Sequence, residues 1–370
     1  MMIRNITKSE QIMTELKRLI SEGSYKSGDK FPSENALAGQ FHTTQLTMNK
    51  VTSQLVAEGL LIRKQGVGTF IQKQKKLSFD IIVENMYDNE ATKLEDSQVE
   101  ILQGILKSCN EKDISFNFLP FYNDEKTESI LAGIKSGEIA SDGHIFLKSQ
   151  GYESLIGNFE KENINYVIFD YLGEKHYNTV VKERKKYIIS AMEAVKSLGV
   201  NKIAFLGEEG KENTYDSIKY NSFIEGVDKL GFKKDFNYKL TGFDKGTGRD
   251  IKPEVAKKII SELEKSISSF QAVFIERNPQ VNTVVEYLNK IDRTDIVLMV
   301  FGNVRIRTRY KGSLLMVQSD YTGFGKELVS FLERRINGDV NKKVLFPCEL
   351  ALYQNGNLTS MQKNKEGGLL

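Results

Sequence analysis

The stretch QFHTTQLTMNKVTSQLVAEGLLIRKQGVGTFIQ, residues 40–72, contains the clearest structural signals in the N-terminal part of the chain. Thr44 is a favourable N-cap for a helix, and the apolar residues after it recur at the spacing of one buried helix face. These apolar residues are Met48, Val51, Leu55 and Val56. Two short β-like runs follow and flank a Gly-x-Gly turn, which is typical of a β-hairpin. The stretch therefore predicts a helix followed by a hairpin.

Two further helices are predicted upstream. Thr7 and Glu10 have the spacing of a capping box, and an apolar stripe follows them until Gly23. Ser33 is a favourable N-cap for the second helix. Three helices and a hairpin in this order form a winged helix-turn-helix, in which the third helix enters the major groove of DNA.

The polar residues of the third helix lie apart from its apolar stripe. At about 100° per residue, Gln45 and Asn49 lie about 40° apart and away from the apolar side. The helix thus has one face for a core and another for DNA, although an ordinary amphipathic helix has the same periodicity.

The charge is uneven along the chain. The first 76 residues contain 12 Lys/Arg against 6 Asp/Glu, whereas the remaining 294 contain 40 against 43. A small basic segment beside a near-neutral larger one indicates a nucleic-acid-binding domain, and the other interpretation is a solvated basic surface.

Three spaced motifs in this region resemble the GntR family of bacterial transcription regulators. They are FPSENAL (31–37), LVAEGL (55–60) and GVGTF (66–70). The resemblance covers about residues 8–72. It implies a dimeric regulator that grips a pseudo-palindromic DNA site with its recognition helices and wing tips. The candidate DNA-binding residues are Ser33, Glu34, Thr44, Gln45, Thr47, Asn49, Lys50, Arg63, Lys64, Gln65, Gly66 and Gly68.

The chain departs from the family pattern in the turn and the third helix. His42 stands where the family has Gly, and Gln45 and Asn49 stand where it has Arg. Histidine tolerates a positive φ better than most residues, so the turn should form. Arginine pairs with guanine or phosphate, whereas Gln and Asn pair best with adenine. We therefore predict an adenine opposite Gln45 or Asn49; the alternative is that both amides contact only phosphate or water. Phosphate contacts would then rest more on Lys50, Arg63, Lys64 and the wing backbone.

From Leu77 onwards, strand-like and helix-like segments alternate. The strand-like segments are 79–84, 114–121, 143–147, 165–170, 201–207, 236–243, 271–276 and 295–302, and amphipathic stretches such as 99–112, 187–199 and 253–265 lie between most of them. This alternation predicts parallel sheets with helices on both faces. Because about 290 residues is large for one sheet, we expect two α/β lobes with a ligand cleft between them.

The order and spacing of several segments resemble the effector domain of LacI/GalR regulators, which is itself similar to periplasmic sugar-binding proteins. Among them are DGHIFL (142–147), INYVIFD (164–170), QAVFIERN (271–278) and MVQSDYTGFGKELVSFL (316–332). A GntR-type winged helix fused to such a core is similar to the AraR type of arabinose repressor. The resemblance implies a homodimer that leaves DNA when a sugar closes the cleft.

The expected fold class is α/β, with an N-terminal winged helix-turn-helix and a two-lobed, periplasmic-binding-protein-like core of parallel sheets flanked by helices. We place the winged helix-turn-helix at residues 1–72, a polar linker at 73–78 and the effector-binding and dimerisation domain at 79–370.

The resemblance transfers only part of the family's sugar site. Asp170 matches a sugar-binding Asp, Lys219 replaces an Arg, and Asn278 matches an Asn whose following Asp is Pro279 here. Asn303 stands where the family has a carboxylate. The candidate ligand-binding residues are Tyr87, Asp170, Lys219, Phe243, Arg277, Asn278 and Asn303, with Tyr87 or Phe243 stacking on a sugar ring. The retained cations indicate a ligand with an anionic group or a diverged site that binds nothing, and Asp170 and Asn303 are also plausible loop caps. We favour a small polar ligand, a sugar or sugar acid.

Patterns for catalysis, metal ligation or cofactor binding are missing from the sequence. The three histidines stand outside triad and zinc-binding contexts, and there is no phosphate-binding loop. Cys109 and Cys348 lack metal-ligand spacing and suit a reducing compartment. No apolar run reaches membrane-spanning length. We therefore expect a cytoplasmic regulator, not an enzyme, with no cofactor, metal or membrane partner.

Two other interpretations stay open. In one, the core is a dimerisation or protein-interaction scaffold without a small-molecule ligand. In the other, the winged helix has lost its DNA affinity together with the arginines, which would leave weak, unspecific binding with a shallow salt dependence.

Overall fold

The chain divides into two units, Met1–Lys76 and Leu77–Leu370, which we call the winged-helix unit and the core unit. The structure is a computed structural model. It describes residues 7–21, 23–72, 76–84, 96–121, 124–148, 151–211, 214–236, 238–240, 251–303 and 307–362.

The winged-helix unit has the predicted order of elements. They are α1 (Lys8–Ser21), α2 (Glu34–Gln40), α3 (Gln45–Ala57), β1 (Leu61–Lys64) and β2 (Gly68–Ile71). The two strands pair antiparallel, with Leu61 opposite Ile71. This arrangement confirms the predicted three helices and hairpin.

Hydrogen bonds at the helix starts explain why these segments are helical. The Thr7 backbone N–H donates to Glu10 Oε2 at 2.7 Å, and the Glu10 N–H donates to Thr7 Oγ1 at 3.3 Å, which completes the predicted capping box. The Ser33 and Thr44 hydroxyl oxygens each accept a backbone N–H of the following helix at 3.2 Å. His42 sits in the turn at φ 48°, as the tolerance of histidine for this region predicted.

One apolar cluster holds the winged-helix unit together. Leu16, Leu37, Met48 and Leu55 have no exposed surface, and they come from all three helices. Their burial fixes the roll of α3, so its opposite face points to solvent.

The core unit alternates strands and helices, as predicted. Its elements are β3 (Ser78–Glu84), α4 (Asp96–Glu111), β4 (Ser115–Phe121), α5 (Asp124–Ser136), β5 (Gly143–Phe146), α6 (Glu153–Lys161), β6 (Tyr166–Phe169), β7 (Thr179–Lys182), α7 (Arg184–Ser197), β8 (Ile203–Leu206), α8 (Tyr215–Lys229), β9 (Lys239–Leu240), α9 (Pro253–Ser266), β10 (Ala272–Ile275), α10 (Asn278–Lys290), β11 (Val297–Phe301), β12 (Ser313–Gln318), α11 (Tyr321–Ile336), β13 (Lys343–Phe346), β14 (Glu349–Gln354) and β15 (Asn357–Gln362).

In the described residues these strands form two sheets. The first sheet has the order β13-β7-β6-β5-β3-β4 and is parallel throughout. The second has the order β15-β14-β12-β11-β10-β8-β9; β14 runs antiparallel to both of its neighbours, β12 and β15, and the other pairs are parallel. Two sheets in one unit agree with the predicted two-lobed α/β fold.

The described chain passes between the sheets three times. It crosses from β7 to α7, which packs on the second sheet, from β12 to α11, which packs on the first, and from β13 to β14. The lobes are therefore joined by closely spaced segments, a geometry suited to hinge motion.

Strands β7 and β12 to β15 are missing from the predicted strand segments. The predicted segment 236–243 yields only the two-residue strand β9, and residues 241–250 lie outside the described residues. Within the part of the chain that is described, no helix combines the length and apolar character needed to cross a membrane.

Candidate functional site

The exposed face of α3 is one of two candidate surfaces. Gln45, Asn49 and Lys50 are exposed, whereas Met48 and Val51 are buried on the opposite side. The two amides that replace arginine therefore lie on the solvent face, as the periodicity predicted.

A carboxylate from α2 orients one of these amides. Asn49 Nδ2 donates to both carboxylate oxygens of Glu34, at 3.0 Å each. Thr52 Oγ1 and Arg63 Nη2 also donate to Glu34 Oε1, at 2.7 and 2.8 Å. Burial opposes ionisation of Glu34, but the hydrogen bonds from Asn49 and Thr52 and the charge of Arg63 outweigh it and lower the pKa of the carboxyl.

This contact refines the predicted adenine pairing. A carboxylate accepts hydrogen bonds only, so the Asn49 nitrogen must face Glu34, and the amide oxygen lies on the other side. An amide held in this way presents an acceptor, which suits the N6 amine of adenine or the N4 amine of cytosine. Bidentate pairing with adenine uses the amide oxygen and one N–H of Nδ2, and the second N–H can keep the contact with Glu34.

Arg63 forms its hydrogen bonds within the winged-helix unit. Its Nη2 donates to Thr52 Oγ1 and Ser53 Oγ at 3.1 Å each, besides Glu34. Arg63 therefore ties β1 of the wing to α2 and α3, and its phosphate contact stays a prediction.

The other candidate DNA-binding residues take two kinds of position. Ser33, Thr44 and Thr47 lie at helix starts, where the Thr44 and Thr47 hydroxyls are 3.0 Å apart. Lys64 lies over the Phe70 ring, with its Nζ 4.9 Å from the ring centroid. The wing turn consists of the exposed Gln65, Gly66 and Val67 and ends at the half-buried Gly68, where β2 begins. Gly66 and Gly68 have φ values of 73° and 131°, so the tight turn requires glycine there.

Sequence reasoning missed one residue of this face. Leu46 is the second residue of α3, and 71% of its surface is exposed. The signal was available, because Leu46 falls outside the apolar stripe of the helix.

The carboxyl ends of the core strands form the second candidate surface. Asp170 follows β6, Glu276 and Arg277 follow β10, and Asn303 follows β11 by two residues. Gly207 follows β8 and lies close to Glu276, because a Cβ added at Gly207 would come within 2.4 Å of the Glu276 Cβ. Ligands of open α/β sheets bind outside the carboxyl ends of parallel strands, which is where these residues lie.

Asp170 lies in a buried ion pair that joins the two lobes. Asp170 follows a strand of the first sheet, and Arg184 begins the helix that packs on the second. Arg184 Nη1 donates to Asp170 Oδ1 at 2.9 Å, Nη2 donates to Oδ2, and the Lys182 N–H donates to Oδ1 at 3.0 Å. The Tyr215 ring centroid is 4.5 Å from Arg184 Cζ, and Tyr215 Oη donates to the Asp170 carbonyl at 2.9 Å. Both carboxylate oxygens of Asp170 are used internally, and its sugar contact stays a prediction.

The cations Lys219 and Arg277 are paired with acids that the sequence did not single out. Lys219 Nζ is 2.6 Å from Glu276 Oε1, and Arg277 Nη2 is 2.7 Å from Asp216 Oδ2. Arg277 Nε is also 3.1 Å from Glu276 Oε2. Burial raises the pKa of Glu276, and the charge of Lys219 opposes this shift.

The candidate amides differ in their surroundings. Asn278 lies against Gly302, where an added Cβ would come within 2.8 Å of the Asn278 amide. Asn303 Nδ2 donates to the Ser319 carbonyl at 2.9 Å, and the Ser319 N–H donates to Asn303 Oδ1 at 2.8 Å. Asn303 therefore holds the crossover before α11. The predicted stacking residues Tyr87 and Phe243 lie outside the described residues.

Within the described ranges, His, Cys, Asp and Glu side chains form no group of three or more that would hold a metal ion.

Comparisons with known proteins assign the N-terminal unit. Residues 8–71 match the family model "Bacterial regulatory proteins, gntR family". A probable fructoselysine utilization operon transcriptional repressor of Escherichia coli (strain K12) is 48% identical over 56 residues, which are 15% of this chain and 23% of that protein. The histidine utilization repressor of Klebsiella aerogenes is 38% identical over 66 residues, 18% of this chain and 27% of that protein. The chain thus spans about a quarter of the length of these relatives.

Solved structures resemble the larger part of the chain. A LacI-family regulatory protein from Chloroflexus aggregans has a TM-score of 0.60 at 14% identity, covering 76% of this chain and 99% of that one. The lac repressor dimer bound to operator and an anti-inducer has a TM-score of 0.56 at 12% identity, covering 84% and 99%. At these identities the likeness establishes the fold. The chain thus carries a GntR-type helix-turn-helix unit, and the LacI-family structures share the fold of its core.

Proposed function

We propose that this chain, whose N-terminal unit is of the GntR type, is a ligand-responsive transcription repressor that binds double-stranded operator DNA. The proposal rests on the structure of α3. This helix has an N-cap, its buried apolar residues fix its orientation, and its polar face is exposed and free to enter the major groove. The relatives of this unit include transcriptional repressors. A homodimer of this kind would act in the cytoplasm, without enzymatic activity or a cofactor.

The core unit would bind a small polar ligand between its lobes. Four charges at the carboxyl edge of the second sheet balance one another, because Lys219 and Arg277 are paired with Glu276 and Asp216. An anionic ligand would have to displace one of these acids, whereas the hydroxyls of a neutral sugar can accept from the cations and donate to the acids without breaking the pairs. The balance therefore favours a neutral sugar over a sugar acid.

Ligand binding would act through the relative arrangement of the lobes. The ion pair of Asp170 and Arg184 joins the lobes and lies at the crossovers, so it restricts the hinge. A ligand that binds one arrangement better than another shifts the population toward it, and DNA affinity changes if the two arrangements bind DNA differently.

Two measurements on the full chain test this function. Selection from random double-stranded DNA should enrich one pseudo-palindromic site, and the absence of any enriched sequence would refute DNA recognition. Calorimetry with a panel of pentoses, hexoses and sugar acids should then find a neutral sugar that weakens operator binding. If the operator is selected but no member of the panel binds, the core is a dimerisation or protein-interaction scaffold.

A further inference from the structure

Leu46 is a large apolar residue that is exposed at the start of a helix. It is the second residue of α3 and is 71% exposed, while the apolar residues of the same helix that form the core are fully or nearly fully buried. Folding of the winged-helix unit therefore gains little from this side chain, and a polar residue would serve the helix equally well.

The angular position of Leu46 puts it among the polar residues of the exposed face. At about 100° per residue, and counting from Gln45 at zero, Asn49 lies near 40°, Leu46 near 100° and Lys50 near 140°. All four side chains are exposed, and the buried Met48 lies on the other side of the helix. Leu46 is thus at the middle of the surface that would face DNA.

The major groove offers a defined partner for an apolar side chain. Among the groups that base edges present there, the C5-methyl of thymine is the apolar one, and the rest are hydrogen-bond donors or acceptors. A leucine cannot pair with those donors and acceptors, so it would leave them without a partner, whereas contact with the methyl removes apolar surface from water on both sides.

We propose that Leu46 reads the methyl group of a thymine in each half-site, beside the base contacted by Gln45 or Asn49. This inference rests on the proposed function and adds to it a residue that determines specificity. Single scattered apolar residues are common on protein surfaces, so the position of Leu46 on the groove face, and not its exposure alone, carries the argument.

Replacing thymine by deoxyuridine tests the inference, because it removes only the methyl group. Each thymine of the selected operator is replaced in turn, in both half-sites, and the dissociation constant is measured by fluorescence anisotropy at one salt concentration. One thymine in each half-site should respond. Its replacement in one half-site should raise the dissociation constant about fourfold, which corresponds to the free energy of burying one methyl group. The other positions should change the constant less than about twofold.

Protein variants assign the effect to Leu46. With Leu46→Ala the sensitivity to the methyl should fall below about twofold, whereas Leu46→Met keeps an apolar contact and should retain it. Val340→Ala is the matched control, because Val340 is 83% exposed in the core unit. It should keep the full sensitivity. Since Leu46 is exposed, thermal unfolding of Leu46→Ala should match that of the unaltered protein.

The outcomes separate the inference from the proposed function. If a site is selected but no thymine is sensitive to its methyl, or if Leu46→Ala keeps the fourfold sensitivity, the inference is wrong and DNA recognition stands. If no site is selected, the proposed function itself fails.

Discussion

Removing Arg184 should destabilise the core unit strongly. Asp170 and Arg184 are 2% and 5% exposed. The Asp170 carboxylate accepts two hydrogen bonds from the Arg184 guanidinium and one from the Lys182 N–H. Arg184→Met would remove the two hydrogen bonds from the guanidinium and leave the buried carboxylate with the one from the Lys182 N–H. Breaking a buried pair from one side costs about 3–5 kcal/mol. For a unit of this size, the unfolding temperature should fall on the order of 10 °C.

Differential scanning calorimetry of the full chain measures this change in the transition with the larger enthalpy, which the core unit supplies. Lys185→Met is the matched control, because Lys185 is the next residue of α7 and pairs with Glu225 at the surface, where the two side chains are 62% and 47% exposed. Such a pair contributes about 0–1 kcal/mol, so this variant should unfold close to the unaltered protein.

A double variant separates the charge from the packing. Asp170→Asn with Arg184→Met removes both charges, and because asparagine tolerates the φ of 56° at position 170, this variant should cost less than Arg184→Met alone. If Arg184→Met costs less than about 1 kcal/mol, or if the double variant is worse than both single variants together, the ion pair does not have the role inferred from its burial.

The pH dependence of stability gives an independent check. Burial opposes ionisation of Asp170, but the charge and hydrogen bonds of Arg184 outweigh it and lower the pKa of the carboxyl. A lowered pKa contributes stability above the unfolded value of about 3.9, and this contribution is lost as the pH falls through the folded pKa. Asp170→Asn should therefore lose less stability than the unaltered protein between about pH 4 and pH 2.

Three further predictions concern other parts of the chain. Thr44→Ala removes the N-cap hydrogen bond of α3 and should destabilise the winged-helix unit by about 1 kcal/mol, measured by thermal unfolding; an unchanged unfolding temperature would contradict the cap. Lys50→Ala should weaken binding to all DNA sequences alike and reduce the slope of log K against log salt by about 1 per half-site, and a change confined to one sequence would instead make Lys50 a base reader. Burial raises the pKa of the Cys109 thiol to about 11 and also raises that of Cys348, so neither should react with a thiol reagent at pH 8 until denaturant is added. Rapid labelling of the native protein would show that the burial is wrong.

Local patterns were sufficient to predict the winged-helix unit. Its caps and apolar stripe depend on residues three or four apart, so Ser33, Thr44 and Met48 took the positions that their spacing predicted. The buried strands of the core, such as β5 and β10, were predicted for the same reason, because they are short runs of apolar residues.

Such local patterns could not predict the contacts between segments that are distant in sequence. Glu34 binds Asn49 and Arg63 from other elements, and the acids that pair with Lys219 and Arg277 come partly from α8 and partly from the end of β10. The strand β13 was missed because it is a four-residue strand at the edge of its sheet, and its residues are alternately exposed and half-buried. Each of these features depends on the fold that brings the segments together.

Of the three unusual residues of α3, Gln45 and Leu46 share a chemical preference for A·T pairs. The amide of Gln45 suits the N6 and N7 of adenine, the amide oxygen that Asn49 presents suits an exocyclic amine, and the side chain of Leu46 suits the thymine methyl. Adenine N6 and N7 and the thymine methyl lie on the same major-groove edge of an A·T pair, so Gln45 and Leu46, which are adjacent at the helix start, can contact both bases of a single pair. The arginine that the family places at position 45 would instead select guanine. Glu34 supports this preference, because it occupies Arg63 and keeps that guanidinium away from guanine. The half-site should therefore have A·T pairs where α3 begins.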